Sequence, residues 1–246
     1  MNKLVCALCA GLMAFGLGLG NAHATVVIGG TRVVFSGADN ETTLRLSNEG
    51  DQPALVQAWI DHGDPQSTPD KVDAPFLLTP PLFRMDAHKG QRLRIVYTHE
   101  ALPADRESLF WLNVLEVPPK PTDPESESKN LLQLAIRSRL KLFYRPANLP
   151  GDPLKAPAQV SWKVVADSQG HALEAHNPSP YFITINAVTL DVAGKAYKAD
   201  TGMIEPFGTL RLAVPGLAQA AAGATVTFGA INDYGAASEF KGAVSP

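Results

Sequence analysis

From Thr25 onward, short segments rich in Val, Ile, Leu, Thr and aromatic residues follow one another, and turn residues interrupt them about every eight to twelve residues. No long stretch repeats its apolar residues with the spacing of an amphipathic helix. Within a segment such as residues 43–47, apolar and polar residues alternate, which is typical of an antiparallel strand buried on one face. The sequence therefore predicts an all-β chain.

A proline-rich stretch divides these segments into two groups. Four prolines within residues 146–157 disfavour a central strand and predict a linker or hinge. Before it, we predict strands at residues 26–35, 42–48, 54–61, 82–85, 92–98, 109–117 and 131–144. After it, we predict strands at residues 159–165, 173–176, 181–190, 210–214, 224–231 and 239–244. The first group favours an immunoglobulin-like sandwich, and we predict a second, smaller β-sandwich, with the domains at residues 25–147 and 148–246.

The first 24 residues have the three parts of a secretory signal peptide. Lys3 provides the positive start, residues 4–19 form an apolar run, and small residues end at Ala24, where we predict cleavage. Both cysteines, Cys6 and Cys9, lie in this segment. The exported chain is therefore expected to lack disulfides, thiol chemistry and cysteine metal sites. No other stretch approaches the about 20 apolar residues that a membrane span needs, so we expect no membrane insertion.

The charge and the motifs exclude several functions. The formal net charge of −3 gives no general attraction to nucleic acid, so we expect no nucleic-acid partner. The histidines show no metal-ligand spacing, and the chain contains neither a nucleophile elbow nor a phosphate loop of the Walker type. We therefore expect no metal, no cofactor and no enzyme, although carboxylate pairs that only the fold brings together remain open.

The segment at residues 131–144 is unusually long for a sandwich strand. In its first half, Leu132, Leu134 and Ile136 alternate with mostly polar residues, so one face is aliphatic. One interpretation is an ordinary strand that faces the core. The other is an open edge that is lent to the sheet of a partner by β-augmentation, which the length of the segment favours.

Two cations interrupt apolar strands and are candidates for a binding site. Arg32 lies in the first segment, and Lys141 lies within the apolar sequence at residues 140–143. Charges in such strands are costly unless they are paired or reach water. Either the two side chains extend to solvent, or they converge in a cleft and bind a carboxylate.

Five stretches of the chain carry a family resemblance. The longest is LPADRESLFWLNVLEVPP at residues 102–119, and the others are TRVVF at 31–35, QAWI at 57–60, KLFYRP at 141–146 and INDYG at 231–235. In this order they resemble the periplasmic chaperones of chaperone–usher pilus assembly, the PapD-like family. The resemblance covers nearly the whole exported chain. It implies two immunoglobulin-like domains in an L-shape, located in the periplasm.

The resemblance also implies a function and its residues. Such chaperones bind pilus or fimbrial subunits by donor-strand complementation and deliver them to an outer-membrane usher. Leu132, Leu134 and Ile136 match the positions of the lent strand. Arg32 and Lys141 match the cleft pair that holds the terminal carboxylate of the subunit. Self-association of the free chaperone stays open, as does the identity of the subunit.

Three further residues, Glu107, Arg145 and Asp233, match a buried charge network between the domains. Some features depart from the family pattern. The loop at residues 118–130 is long and acidic but lacks the cysteine pair of long-loop members. Strict alternation also places Lys141 out of phase with the lent row, so either the strand uses both faces or a bulge intervenes. A secreted adhesin or binding module and a secreted enzyme remain the alternative functions.

Overall fold

The structure is a computed structural model, which describes residues 25–120, 133–167, 170–217 and 223–245. The predicted signal peptide at residues 1–24, Leu132 and residues 121–130 of the acidic loop lie outside the described residues. The described residues form seventeen strands and two short 3₁₀ turns, at Pro69–Lys71 and Ala156–Gln159. The prediction of an all-β chain is confirmed.

The first domain packs two sheets face to face. Its strands are β1 (Val26–Ile28), β2 (Arg32–Ser36), β3 (Glu41–Asn48), β4 (Ala54–Asp61), β5 (Phe76–Thr79), β6 (Leu82–Met85), β7 (Gly90–Tyr97), β8 (Ser108–Val117) and β9 (Ile136–Arg145). One sheet has the order β1-β3-β7-β5, and the other has the order β2-β9-β8-β4-β6. The buried residues between them include Phe35, Leu93 and Leu142, each 0% exposed. Their burial is the main source of stability for this domain.

The second domain surrounds a separate core. Its strands are β10 (Ser161–Asp167), β11 (Gly170–His176), β12 (Ile183–Val192), β13 (Lys195–Lys198), β14 (Gly202–Ile204), β15 (Thr209–Ala213), β16 (Thr225–Ile231) and β17 (Ala237–Ser245). The order is β13-β12-β16-β17-β10-β11-β15, and β14 pairs with β12. Trp162 at the centre of this core is fully buried and lies 5.0 Å from the ring of Phe228.

The first predicted strand, at residues 26–35, is two strands in different sheets. β1 pairs with β3, whereas β2 pairs in parallel with β9. The chain changes sheets at Gly29 and Gly30. A Cβ atom on Gly29 would lie only 3.0 Å from the carbonyl oxygen of Arg45, so this close approach favours glycine. The sequence reasoning also missed β5, a four-residue strand between prolines.

The predicted strand at residues 131–144 begins later than expected, at Ile136. Residues 133–135 are described but are not in a strand. The reason lies in the neighbouring strand, because β8 ends at Val117 and Glu116 pairs with Ile136. Pro118 follows and has no N–H to continue the ladder. The part of the segment before Ile136 therefore has no partner strand on that side.

The two domains meet through a network of charged side chains. Arg145, at the end of β9, donates to the Glu107 carboxylate at 2.7 Å and to both carboxylate oxygens of Asp233 at 2.8 and 3.0 Å. The second oxygen of Glu107 accepts the backbone N–H of Phe182 at 2.7 Å, and the N–H of Glu107 donates to the carbonyl of Pro180 at 2.9 Å. Burial raises the pKa of Glu107, against the opposing effect of Arg145. The connection at residues 146–160 also joins the domains, and its action as a hinge stays a prediction.

Removal of the Arg145 side chain is expected to destabilise the protein. The side chain of Glu107 is only 2% exposed, so Arg145→Ala leaves a buried carboxylate without its cation, at a cost of about 3–5 kcal/mol. The measurement is the free energy of unfolding in urea.

Arg211→Ala is the matched control, because Arg211 binds Glu174 at 3.1 Å but its side chain is 68% exposed. We expect a loss below about 1 kcal/mol for this exposed pair. Equal losses for the two variants would contradict a special role for the interdomain network.

Candidate functional site

The two cations singled out in the sequence lie side by side. Arg32 in β2 and Lys141 in β9 are directly paired in a parallel register, so their side chains project from the same face. Both reach the second domain. Arg32 donates from Nη1 to the carbonyl oxygen of Ile231 at 3.0 Å, and Lys141 donates from Nζ to the hydroxyl of Thr184 at 3.2 Å. The cleft between the domains therefore holds two adjacent positive charges.

Within the described residues, no ion pair involves either cation of this cleft. Burial, and then the charge of Arg32, lower the pKa of Lys141 to about 8. Burial also lowers the pKa of Arg32, and its Nε is buried without a hydrogen-bond partner. A carboxylate placed here would gain two charge-assisted donors and would compensate for their lost hydration.

The cleft contains space for a ligand group beside Arg32. A cavity of about 200 Å³ opens there, with Phe143 on the first domain and Phe182 and Ile231 on the second. The Arg32 guanidinium carbon lies 5.9 Å from the centre of the Phe143 ring, and the Lys141 ammonium lies 6.0 Å from that of a neighbouring tryptophan, Trp111. The rings restrict the cations without neutralising them.

One edge of β9 is only partly covered. β2 pairs with β9 from the Arg32–Lys141 pair to the Ser36–Arg145 pair. Among the described residues, no strand pairs with residues 136–140 on this side of β9. An open edge of this kind presents unpaired backbone donors and acceptors, and an extended segment from another chain can add to it.

The aliphatic row divides into a buried and an exposed part. Leu140 and Leu142 are 5% and 0% exposed and belong to the core. Ile136, on the same face of the strand, is 40% exposed, and Leu134 before it is 60% exposed. The core-facing interpretation thus applies to the end of the strand, and the open-edge interpretation fits its beginning.

The register between β8 and β9 explains why Lys141 is out of phase with the aliphatic row. β8 and β9 pair without interruption from Ser108–Tyr144 to Glu116–Ile136. No bulge lies between Ile136 and Lys141, and the two side chains therefore face opposite sides of the sheet. The strand presents its lysine on one face and its aliphatic row on the other.

The sequence reasoning missed two arginines on the lysine-bearing face of β9. Arg137 stacks over Trp59 at 4.7 Å, and Arg139 stacks over Trp111 at 4.8 Å and binds the buried Asp61 at 2.9 Å. Their spacing in the sequence was a signal that could have predicted this arrangement. Basic residues occupy every second position from 137 to 141, which places their side chains on one face of a strand. No sequence pattern indicated Thr184, the hydrogen-bond partner of Lys141, because it lies in the other domain and only the fold brings the two residues together.

Two negative findings apply to the ranges that the structure describes. In those ranges, no group of three or more His, Cys, Asp or Glu side chains is arranged to hold a metal ion. The same ranges contain no helix with the length and apolar character to cross a membrane.

Comparison with known proteins gives matches along most of the chain. Residues 25–150 match the family described as "Pili and flagellar-assembly chaperone, PapD N-terminal domain", and residues 155–241 match "Pili assembly chaperone PapD, C-terminal domain". The chain is 45% identical over 218 residues to the probable fimbrial chaperone YadV of Escherichia coli K12, covering 88% of each chain. It is also 45% identical over 228 residues to the chaperone protein FimB/FhaD of Bordetella pertussis, covering 91% of this chain and 90% of the relative.

Solved structures agree with these matches. The crystal structure of the YadV chaperone superposes with a TM-score of 0.76 at 42% identity, covering 89% of this chain and 99% of the other. The SafB chaperone, in its complex with the Salmonella enterica SafA pilin, superposes with a TM-score of 0.73 at 30% identity, covering 90% and 97%. The two-domain, immunoglobulin-like prediction is confirmed, and the adhesin alternative is not favoured. The chain belongs to the PapD family of pilus-assembly chaperones.

Proposed function

We propose that this chain is exported to the periplasm, loses residues 1–24, and binds pilus subunits by lending them its β9 edge. The observation that carries the proposal is the arrangement around β9, where Lys141 lies beside Arg32 of β2 without an ion-pair partner among the described residues, and Ile136 and the preceding Leu134 are exposed. The loaded chaperone then delivers its subunit to an outer-membrane usher. In this proposal residues 25–147 and 148–246 are the two domains, and no cofactor takes part.

The cleft supplies the anchor for the subunit. Arg32 and Lys141 lie opposite one another in register and have no carboxylate partner among the described residues. A terminal carboxylate of the subunit fits this pair, because it brings one negative charge at the end of an extended chain. Binding there would restore to the two cations the interactions that burial in the cleft removed.

The spacing along β9 sets what the anchored subunit contacts. A strand advances about 3.3 Å per residue, so Ile136 lies about 17 Å from Lys141 along the strand. A subunit segment that starts at the cleft and pairs with the open edge would reach Ile136, and then Leu134 and Leu132. The side chains of this row would fill the groove of an incomplete subunit sheet, which would bury the exposed apolar surface of Leu134 and Ile136.

The relatives give this proposal its partners. The SafB structure is that of a chaperone in complex with a pilin, and we transfer this class of partner to the present chain. The open edge and its exposed leucine are also a liability for a free chaperone. Self-association that covers this edge in the absence of a subunit is part of the proposal.

The test is periplasmic co-expression with a fimbrial subunit. Arg32→Ala, Lys141→Ala and Leu134→Glu are each expected to lower the affinity for the subunit at least about tenfold, because each removes a charge-assisted contact or inserts a charge into the groove. Soluble subunit recovered with the purified chaperone is the measurement.

The matched control for the strand is Leu77→Glu. Leu77 in β5 is 61% exposed, compared with 60% for Leu134, but it lies away from the β9 edge. Arg84→Ala, which removes an exposed arginine from β6, is the control for the cleft. Folded variants of Arg32, Lys141 and Leu134 that recover as much subunit as the controls would refute the proposal.

Binding through Lys141 is also expected to depend on pH. Its pKa of about 8 means that the free cleft loses this charge as the pH rises through that value. A bound carboxylate favours the ammonium form, so affinity is full below about pH 8 and falls by up to about tenfold per pH unit above it. Calorimetric titration with an amino-terminally acetylated peptide from the end of a subunit measures this profile.

Lys141→Arg is the control for the pH profile. Arginine keeps its charge throughout this range, so the affinity of the variant is expected to stay constant above pH 8. A wild-type profile as flat as that of the variant would show that the charge of Lys141 does not contribute to binding.

A further inference from the structure

Glu116 is a buried carboxylate near the end of β8, beside Thr25 and Val26, where the described part of the chain begins. It is 8% exposed. Its Oε1 accepts the backbone N–H of Thr25 at 3.1 Å and also the Thr25 hydroxyl, and its Oε2 accepts the N–H of Val26 at 3.1 Å. All three donors belong to the first two residues after the predicted signal peptide.

Among the described residues, Glu116 forms no ion pair with any Lys, Arg or His side chain. Neutral hydrogen bonds offset part of the cost of burying a carboxylate, and a cation placed beside it would add the Coulombic attraction that they lack. The site is therefore built for a negative charge but supplies it with no positive partner from the folded chain.

Thr25 is held on its other sides as well. Its carbonyl oxygen accepts the N–H of Glu49 at 2.8 Å. Its side chain packs so closely on Gly50 that a Cβ atom there would lie 2.6 Å from the Thr25 methyl group. The backbone nitrogen of Thr25 is thus fixed at the carboxylate by contacts on three sides.

We propose that Glu116 is the binding site for the α-ammonium group that signal-peptide cleavage creates at Thr25. The proposal about Glu116 depends on the proposed function in two steps only, which are export of the chain and cleavage after Ala24. Hydrolysis of the Ala24–Thr25 amide adds water, leaves a carboxylate on the released peptide and turns the Thr25 nitrogen into an amine. The amine is protonated at neutral pH, since its usual pKa is about 7.7–8.0. The neutral hydrogen bond at 3.1 Å becomes an ion pair.

The new ion pair would act next to the donor row. Thr25 and Glu116 line the same cavity, of about 200 Å³, as Leu134 and Ile136. Glu116 is also the direct register partner of Ile136. Processing would therefore stabilise the first strand and the start of β9 together, and the exported chain would hold its donor edge more firmly than the precursor.

Few other charges face this site. Glu49 and Asp51 lie in the adjoining β3–β4 turn, and His88 binds Asp51 at 3.1 Å from the β6–β7 turn, which also carries Asp86 and Lys89. The residues that line the shared cavity include no titratable side chain other than Glu116. The titration of the Thr25 amine therefore reports chiefly on Glu116.

The first measurement is the titration of the Thr25 amine by nuclear magnetic resonance, on protein exported with its own first 24 residues. Mass spectrometry first identifies the terminus. We expect a pKa at least one unit above the usual value of about 7.7–8.0, and a return to that value in Glu116→Gln. The stabilisation is present below the usual pKa and is lost as the pH rises through the raised one.

The second measurement separates this ion pair from general loss of packing. Chains that begin at Thr25 and at Ala24 are each compared with their Glu116→Gln variants. We expect the substitution to raise the unfolding equilibrium constant about tenfold in the Thr25 chain and clearly less in the Ala24 chain, whose ammonium lies one residue away.

Three outcomes would overturn the proposal: a terminus other than Thr25, an unchanged amine titration in Glu116→Gln, or equal destabilisation in the two chains. None of them bears on subunit binding, because recovery of the subunit by the Arg32 and Lys141 variants is scored separately. A failure of strand lending would in turn leave the amine titration intact.

Discussion

The arginine at the end of β9 is the interaction on which the cleft depends. Arg145 binds Glu107 of its own domain and Asp233 of the other, and Glu107 also accepts a backbone N–H from the second domain. Lys141 precedes Arg145 on β9 and pairs with Arg32 of β2, and both cleft cations donate across the domain boundary. A change in the relative position of the domains would therefore alter the cleft before it altered either core.

β9 combines several structural roles that an ordinary sandwich strand does not combine. Its aliphatic face supplies Leu140 and Leu142 to the core and then emerges into solvent at Ile136. Its other face carries Arg137 and Arg139, which stack on tryptophans and bind into the sheet. These contacts hold the beginning of the strand from one side, so its exposed row and open edge can remain in place without a neighbour on the other.

Much of this was predictable from local sequence. Alternation located most strands, and charges inside apolar segments identified Arg32 and Lys141 before any pairing was known. The change of sheet at Gly29 was not predictable, because apolar residues continue on both sides and only a close approach of Arg45 reveals the break. Contacts between the domains, such as that of Lys141 with Thr184, depend on tertiary placement, which no periodicity records.

The middle and the beginning of β9 have opposite electrostatics. At the cleft, Arg32 and Lys141 have no carboxylate partner among the described residues, and beside Ile136 the neighbouring strand presents the buried Glu116, for which no described cation is a partner. In the two proposals, a chain terminus fills each deficit: the carboxylate of a subunit at the cleft and the ammonium of the processed chaperone at Glu116. Because a buried charge gains most from a partner of fixed geometry, the ammonium created by processing would stabilise the exported chain at Glu116, and the carboxylate of a subunit would stabilise the loaded chaperone at the cleft. The same strand would thus couple maturation of the chaperone to its readiness for a subunit.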